Sequence, residues 1–143
     1  MAWTSYVTEM SGRPAVALLD RRFEAAPPAG QLPRLAWFGV WFRLPPGAGL
    51  WDPAEDAALE QLERTLIELA GQHARGWAAY VRQLSTRGVR EYYLYAAAHV
   101  DFTPILGALR ARFPEYRLEY EHTVDQDWQH YRRWLAEPAE HPA

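Results

Sequence analysis

Hydrophobic and polar positions change period several times along the chain, and each change marks an element. Trp3 to Thr8 alternates as a strand, Ser11-Gly12-Arg13-Pro14 supplies a turn, and Ala15 to Phe23 reads as the hairpin partner. Ala26-Pro27-Pro28-Ala29-Gly30 then breaks the chain. Leu35 to Leu44 is a bulky run alternating every second residue, which predicts a central strand. Asp52-Pro53-Ala54-Glu55 is a helix start, with a capping Asp, Pro at the first helical position and Glu at the third. Leu59, Leu62, Leu66 and Leu69 follow as one apolar stripe, which Gly71 or Gly76 can end. Strands are predicted over Trp77 to Ser85 and Val89 to Ala98, joined by the turn Thr86-Arg87-Gly88. Phe102 to Phe113 reads as a helix capped by Asp101 and stopped by Pro114. Tyr116 to Val124 alternates as the last strand, and Gln126 to Ala136 as a final helix capped by Asp125 and ended near Pro138.

From Leu35 onward the order is strand, helix, strand, strand, helix, strand. That order predicts an α+β fold, the ferredoxin-like split βαββαβ antiparallel sheet with helices on one face. An N-terminal β-hairpin (3–23) and a C-terminal helix (126–136) are added to the core (34–124), all within one domain over 1–143. Length and composition agree: 143 residues, 49% apolar and 23% charged, suffice to bury about two-thirds of the unfolded surface. No apolar run approaches the roughly 18 residues of a membrane span. The absence of cysteine excludes disulfides, thiol catalysis and thiolate metal sites. All 15 basic residues are arginine, Asn is absent and Ile occurs only at Ile67 and Ile105, a bias expected of a GC-rich genome. Net charge is -3, and residues 115–143 carry seven acidic and three basic groups. A non-specific nucleic-acid binder needs a basic stripe, so nucleic acid is not an expected partner. Met1 to Tyr6 lacks the basic and apolar regions of a signal peptide, so a cytoplasmic location without membrane attachment is expected.

Strand alternation sorts the candidate chemistry by face. In the central strand Phe38, Val40, Phe42 and Leu44 point one way, and Trp37, Trp41 and Arg43 the other. In Val89 to Ala98, Glu91, Tyr93 and Tyr95 share a face opposite Arg90, Tyr92 and Leu94. Two helices cover one face of such a sheet. Trp37, Trp41, Arg43, Glu91, Tyr93 and Tyr95 are therefore the candidate partner- or ligand-binding residues of the other face. That face is either buried by the N-terminal hairpin and C-terminal helix, or a partner or self-association surface, or a platform stacking single-stranded RNA. Missing RNA-recognition signatures and the negative charge weigh against the last. Glu91 beside Tyr93 is either an acid with a raised pKa in an apolar pocket or the partner of a neighbouring Arg.

Asp125-x-x-Trp128-x-x-Tyr131 is the strongest local signal, read as a helix cap followed by residues that dock one helical face, with Leu135, on the sheet. The overlapping His122-x-x-Asp125-x-Asp127-x-x-His130 offers metal-ligand types, but its spacing fits no helical ligand pair and Asp125 has a capping task, so no metal site is expected. Ser5, Ser11 and Ser85 lie in no nucleophile elbow, and there is no phosphate loop or His-Glu-x-x-His. His99-Val100-Asp101 reads as structural. No catalytic residue and no cofactor is assigned.

Several short motifs together carry a resemblance. Trp3-x-x-Tyr6 opens a hairpin, Gly49-Leu50 and Glu55 precede a helix, and Gly88-x-Arg90-Glu91-Tyr92-Tyr93-Leu94-Tyr95 follows. Asp125-x-x-Trp128-x-x-Tyr131 with Leu135 and Pro138 closes the set, with Trp51 standing where Pro often follows the Gly-Leu pair. Over nearly the whole chain these resemble the bacterial family catalogued as domain of unknown function 695. The resemblance implies a fold related to the ribonuclease-regulator B type, which inhibits ribonuclease E by binding it, and hence a small interaction or regulatory domain. The expected function is a cytoplasmic protein-interaction or regulatory domain without catalytic activity, with a protein partner or a second copy of itself. The alternative is a small-molecule-binding or hydrolytic enzyme using an aromatic and acidic pocket on the open face.

Overall fold

The computed structural model describes residues 3–140. Strands β1 (Trp3–Met10) and β2 (Arg13–Asp20) form a hairpin whose turn is Ser11-Gly12. Their φ angles of 53° and 78° are the positive pair that lets a two-residue turn follow the twist of its strands. After β3 (Arg34–Trp41), the Asp52 carboxylate accepts the Ala54 N–H at 2.9 Å, and Pro53 opens a short 3-10 turn leading into helix α1 (Asp56–Ala74). Leu59, Leu62, Leu66 and Leu69 are buried along it, as their spacing requires. The helix ends at Arg75, left-handed at φ 48°, whose N–H bonds the Gly71 carbonyl. Strands β4 (Ala78–Ser85) and β5 (Val89–Ala96), helix α2 (Thr103–Arg112), strand β6 (Leu118–Val124) and helix α3 (Gln129–Glu140) follow.

All six strands lie in one sheet, ordered β1-β2-β4-β5-β3-β6, and every neighbouring pair is antiparallel. The fold is therefore α+β, an open antiparallel sheet with three helices. The N-terminal hairpin covers neither face, because β2 pairs with β4 (Val16 opposite Ser85, Leu19 opposite Arg82) and extends the sheet in its own plane. Phe38, Tyr80, Tyr92 and Tyr120 mark the first face, which carries α1 and α2. Phe102 at the start of α2 packs on Phe38 (5.9 Å between centroids), and the Tyr80 hydroxyl donates to Glu63 of α1 at 2.7 Å. The second face carries α3 across one end, so the three helices do not share a face. No helix among the described residues is long and apolar enough to cross a membrane.

Several boundaries differ from the sequence reading: the hairpin partner ends at Asp20 and not at Phe23, β5 at Ala96 and not at Ala98, β6 starts at Leu118 and not at Tyr116, and two further shifts have a visible cause. The central strand stops at Trp41 and not at Leu44, because Arg43 and Leu44 give their N–H groups to the buried Glu55 carboxylate (2.9 and 3.0 Å). Glu55 also accepts the Tyr116 hydroxyl at 2.8 Å, so it ties the end of β3 to the helix layer instead of closing a capping box. The final helix starts at Gln129, not Gln126, and continues through Pro138. Proline has no N–H for the carbonyl four residues back. That carbonyl, on Trp134, instead accepts the Tyr6 hydroxyl of β1 at 3.4 Å.

Trp128 stands outside the helix, with φ at 55°, a conformation costly for a bulky residue. Its indole is fully buried, stacked on Tyr95 at 3.9 Å, and donates to the Leu32 carbonyl at 2.8 Å. The Asp125 carboxylate satisfies the helix start, accepting from the N–H groups of Gln129 (2.8 Å) and His130 (3.0 Å) and from the Tyr95 hydroxyl (2.6 Å). Burial alone would push this carboxyl up; the Tyr95 hydroxyl and the two amides outweigh it and hold the group below the usual carboxylate range. A depressed pKa contributes stability above the ordinary carboxyl value, and that stability is lost as pH falls through the depressed value. Asp125→Asn turns a donor toward these donors, and should cost about 2–3 kcal/mol at neutral pH in urea denaturation. The variant should also lose less stability than the parent between pH 7 and pH 3.

Candidate functional site

The part of the second face that α3 leaves uncovered is a groove of about 590 Å³ between that helix and the sheet. Its floor comes from three strands held in register: Trp37 of β3 stands opposite Tyr93 of β5 and Glu121 of β6. The Trp37 and Tyr93 rings lie nearly parallel, 5.9 Å apart and inclined by 28°. Trp41, four residues further along β3, folds back over Gly39, where a Cβ would lie 3.3 Å from the indole Cζ3. A side chain at Gly39 would crowd that ring and require it to give by a few tenths of an ångström, which gives the glycine a reason within a central strand. The Arg117 guanidinium stacks on Trp41 from the rim, 4.3 Å from the ring centre.

Glu91 faces Gly39 across the β3–β5 ladder and is half-buried in the same groove. Burial pushes its carboxyl above the usual range and nearby Glu121 adds to this, while the Tyr93 hydroxyl and the Arg82 charge pull it back. Its hydrogen-bond donor is the Tyr93 hydroxyl, at 3.2 Å. The arginine pairing that the sequence offers for Glu91 does not form among the described residues, where Arg82 pairs with Glu137 instead. Arg82, only 3% exposed, donates from its Nη2 to both Glu137 carboxylate oxygens at 3.2 Å and lies 4.5 Å from the Trp134 ring centre and 5.5 Å from that of Tyr93. Its Nε–H meets no acceptor among the described residues. Glu137 also accepts the Tyr6 hydroxyl at 3.2 Å, and burial together with Glu137 pushes that phenol up to about 12 although Arg82 opposes the shift. His130 and Arg133 complete the α3 wall.

Of the six surface candidates read from the sequence, the groove unites Trp37, Trp41, Glu91 and Tyr93. Tyr93 is floor rather than surface, 8% exposed beneath Trp134, whose ring meets it edge-on at 5.0 Å. Tyr95 shares that face but lies under α3 with no exposure at all, its hydroxyl committed to Asp125 and the Tyr131 N–H. Arg43 is not on the face: it follows the strand end, with its guanidinium 5.9 Å from the Tyr116 ring. Asp125, Trp128 and Tyr131 do dock α3, but only Tyr131 does so from the helix, donating its hydroxyl to the Asp20 carbonyl at 2.6 Å.

Arg82, Glu121, Trp134 and Glu137 escape the sequence reading. A signal existed for each wall. Arg82 is a lone charge inside an apolar strand, and His130, Trp134 and Glu137 recur at spacings of four and three on one helix face. A raised carboxyl is most favourable to the fold when protonated, so its contribution falls as pH rises through the raised value. Glu91→Gln keeps an acceptor for Tyr93 without the charge. It should melt no lower than the parent at pH 7, and the difference should close as pH drops toward 4.

No curated protein and no solved structure matches the chain. A family model does, over residues 1–136, and it is that of a family of unknown function, DUF695, to which the chain therefore belongs.

Proposed function

We propose that the protein is a non-catalytic recognition domain, and that the groove on the second face of its sheet takes an extended segment of a partner protein. The observation that carries this reading is the incomplete cover over an aromatic face. Helix α3 buries Tyr93 and Tyr95 but leaves Trp37 and Trp41 part-exposed on the floor of a concave channel with charged walls. Tryptophan anchors at the centre of a patch with a polar rim are the usual anatomy of an energetic hot spot. The run β3-α1-β4-β5-α2-β6, with strands side by side as β4-β5-β3-β6, supports reading the core as ferredoxin-like with the hairpin as an extension. The lack of cysteine fits a reducing, cytoplasmic setting.

One observation favours a second reading. A half-buried carboxyl shifted upward beside a tyrosine hydroxyl is the arrangement of a general acid, and would serve a hydrolytic enzyme acting on a small molecule in the same groove. The two are separated by what the groove holds and whether that molecule is changed.

Selection of a displayed random peptide library on the immobilised protein tests the binding reading. The parent should enrich a common motif, and Trp37→Ala/Trp41→Ala should lose it while keeping the circular dichroism and melting behaviour of a folded chain. Tyr93 is spared in this design because its removal would open a cavity beneath Trp134. Failure to enrich any motif, or a motif that survives in the double variant, sinks the groove as the recognition site.

A further inference from the structure

We propose that the groove is selective for a basic side chain of the partner segment, an arginine guanidinium laid against Trp37 and neutralised by Glu91 and Glu121. This rests on the recognition reading above and names the chemistry of its occupant.

Charge complementarity is the first argument. The groove is lined by four carboxylates, Glu9, Glu91, Glu121 and Glu137, against two guanidiniums, Arg82 and Arg133. Arg82 and Glu137 answer each other, which leaves three carboxylates of the lining against the guanidinium of Arg133, for which no ion pair forms among the described residues. Glu91 and Glu121 stand on either side of β3, and the charge of Glu121 adds to the cost of ionising Glu91. A cation placed between them relieves that cost, whereas an anion or a neutral group does not.

The second argument is the floor. Tryptophan offers the best face for a cation, and a planar guanidinium stacks on it while keeping its N–H groups in plane for carboxylates. The chain already uses this mode at both ends of the groove. Arg117 lies 4.3 Å from the Trp41 ring centre while pairing with Glu119 at 2.7 Å, and Arg82 lies 4.5 Å from that of Trp134 while pairing with Glu137. Between these two internal pairs, Trp37 has an aromatic neighbour in Tyr93 and carboxylates at Glu91 and Glu121, and the arginine is the missing member. Ammonium would be attracted too, but guanidinium matches the plane of the ring and the spread of the two carboxylates.

A titration of synthetic peptides followed by the indole N–H signals of Trp37 and Trp41 in NMR tests this. The probe is an acetylated, amidated five-residue Gly/Ser peptide with a central arginine. Its twin carries citrulline, which has the same shape without the charge. The arginine peptide should bind at least about tenfold tighter than the citrulline twin, about 1.4 kcal/mol. Glu91→Gln and, separately, the exposed Glu121→Gln should each erase most of that ratio while leaving the citrulline peptide unchanged. Equal affinity for the two peptides, or a ratio indifferent to both carboxylates, overturns the inference. The library selection distinguishes the levels of failure. A motif without basic residues that still depends on Trp37 and Trp41 removes the arginine and leaves the recognition groove standing; no motif at all removes both.

Discussion

One carboxylate, that of Asp125, gives the second face of the sheet its shape. It stands where β6 ends and α3 begins, and its two oxygens join three donors: the first amides of the helix and the hydroxyl of Tyr95 on β5. A helix start needs an acceptor for its orphan N–H groups, and a buried phenol needs one too. Serving both with one group forces the helix start directly onto the sheet. Trp128 fills the angle between them. Its left-handed backbone costs on the order of 1–2 kcal/mol, which the stack on Tyr95 and the hydrogen bond to Leu32 offset.

The other end of α3 is fixed independently. Pro138 leaves the Trp134 carbonyl without its helical donor, and Tyr6 of β1 takes that position while also donating to Glu137. Glu137 in turn holds the buried Arg82 of β4. The helix is thus tied to β5 at its start and to β1 and β4 near its end, and so it lies across the sheet and not along it. A crossing helix covers one end of the face and leaves a channel at the other. The channel, with Trp37 and Trp41 in its floor, follows from where those ties fall.

Within the channel, aromatic rings and carboxylates alternate because the strands do. Trp37 and Trp41 flank Gly39 on β3, Glu91 and Tyr93 follow on β5, and Glu121 on β6. Gly39 leaves room for the folded-back indole of Trp41, which would lie 3.3 Å from a Cβ there. Burial makes the Glu91 carboxylate costly where it is, and perturbed carboxyls of this kind cluster at functional sites.

Much of this was legible in the residues themselves. The period-two alternation of β3 and β5 already separates Phe38 and Tyr92 from Trp37, Glu91 and Tyr93, because successive side chains of a strand must take opposite faces. Asp52-Pro53, the Ser11-Gly12 turn and the leucine stripe of α1 are likewise local matters of capping, turn geometry and spacing. The failures are all non-local. Tyr95 and Tyr93 look equivalent, two residues apart on one face, until α3 covers one completely and walls the other. Arg43 continues the alternation in the sequence but not in space, since Glu55 draws the two amides after Phe42 out of the sheet. Trp128 has the periodicity of a helix and stands outside it, because Asp125 and Tyr95 dictate where the first turn begins. The sequence by itself determined which residues within β3 and β5 share a face; only the tertiary structure decided where the strand ends and how much of that face is left open, because the covering helix is placed by contacts to β1, β4 and β5 that no local pattern encodes.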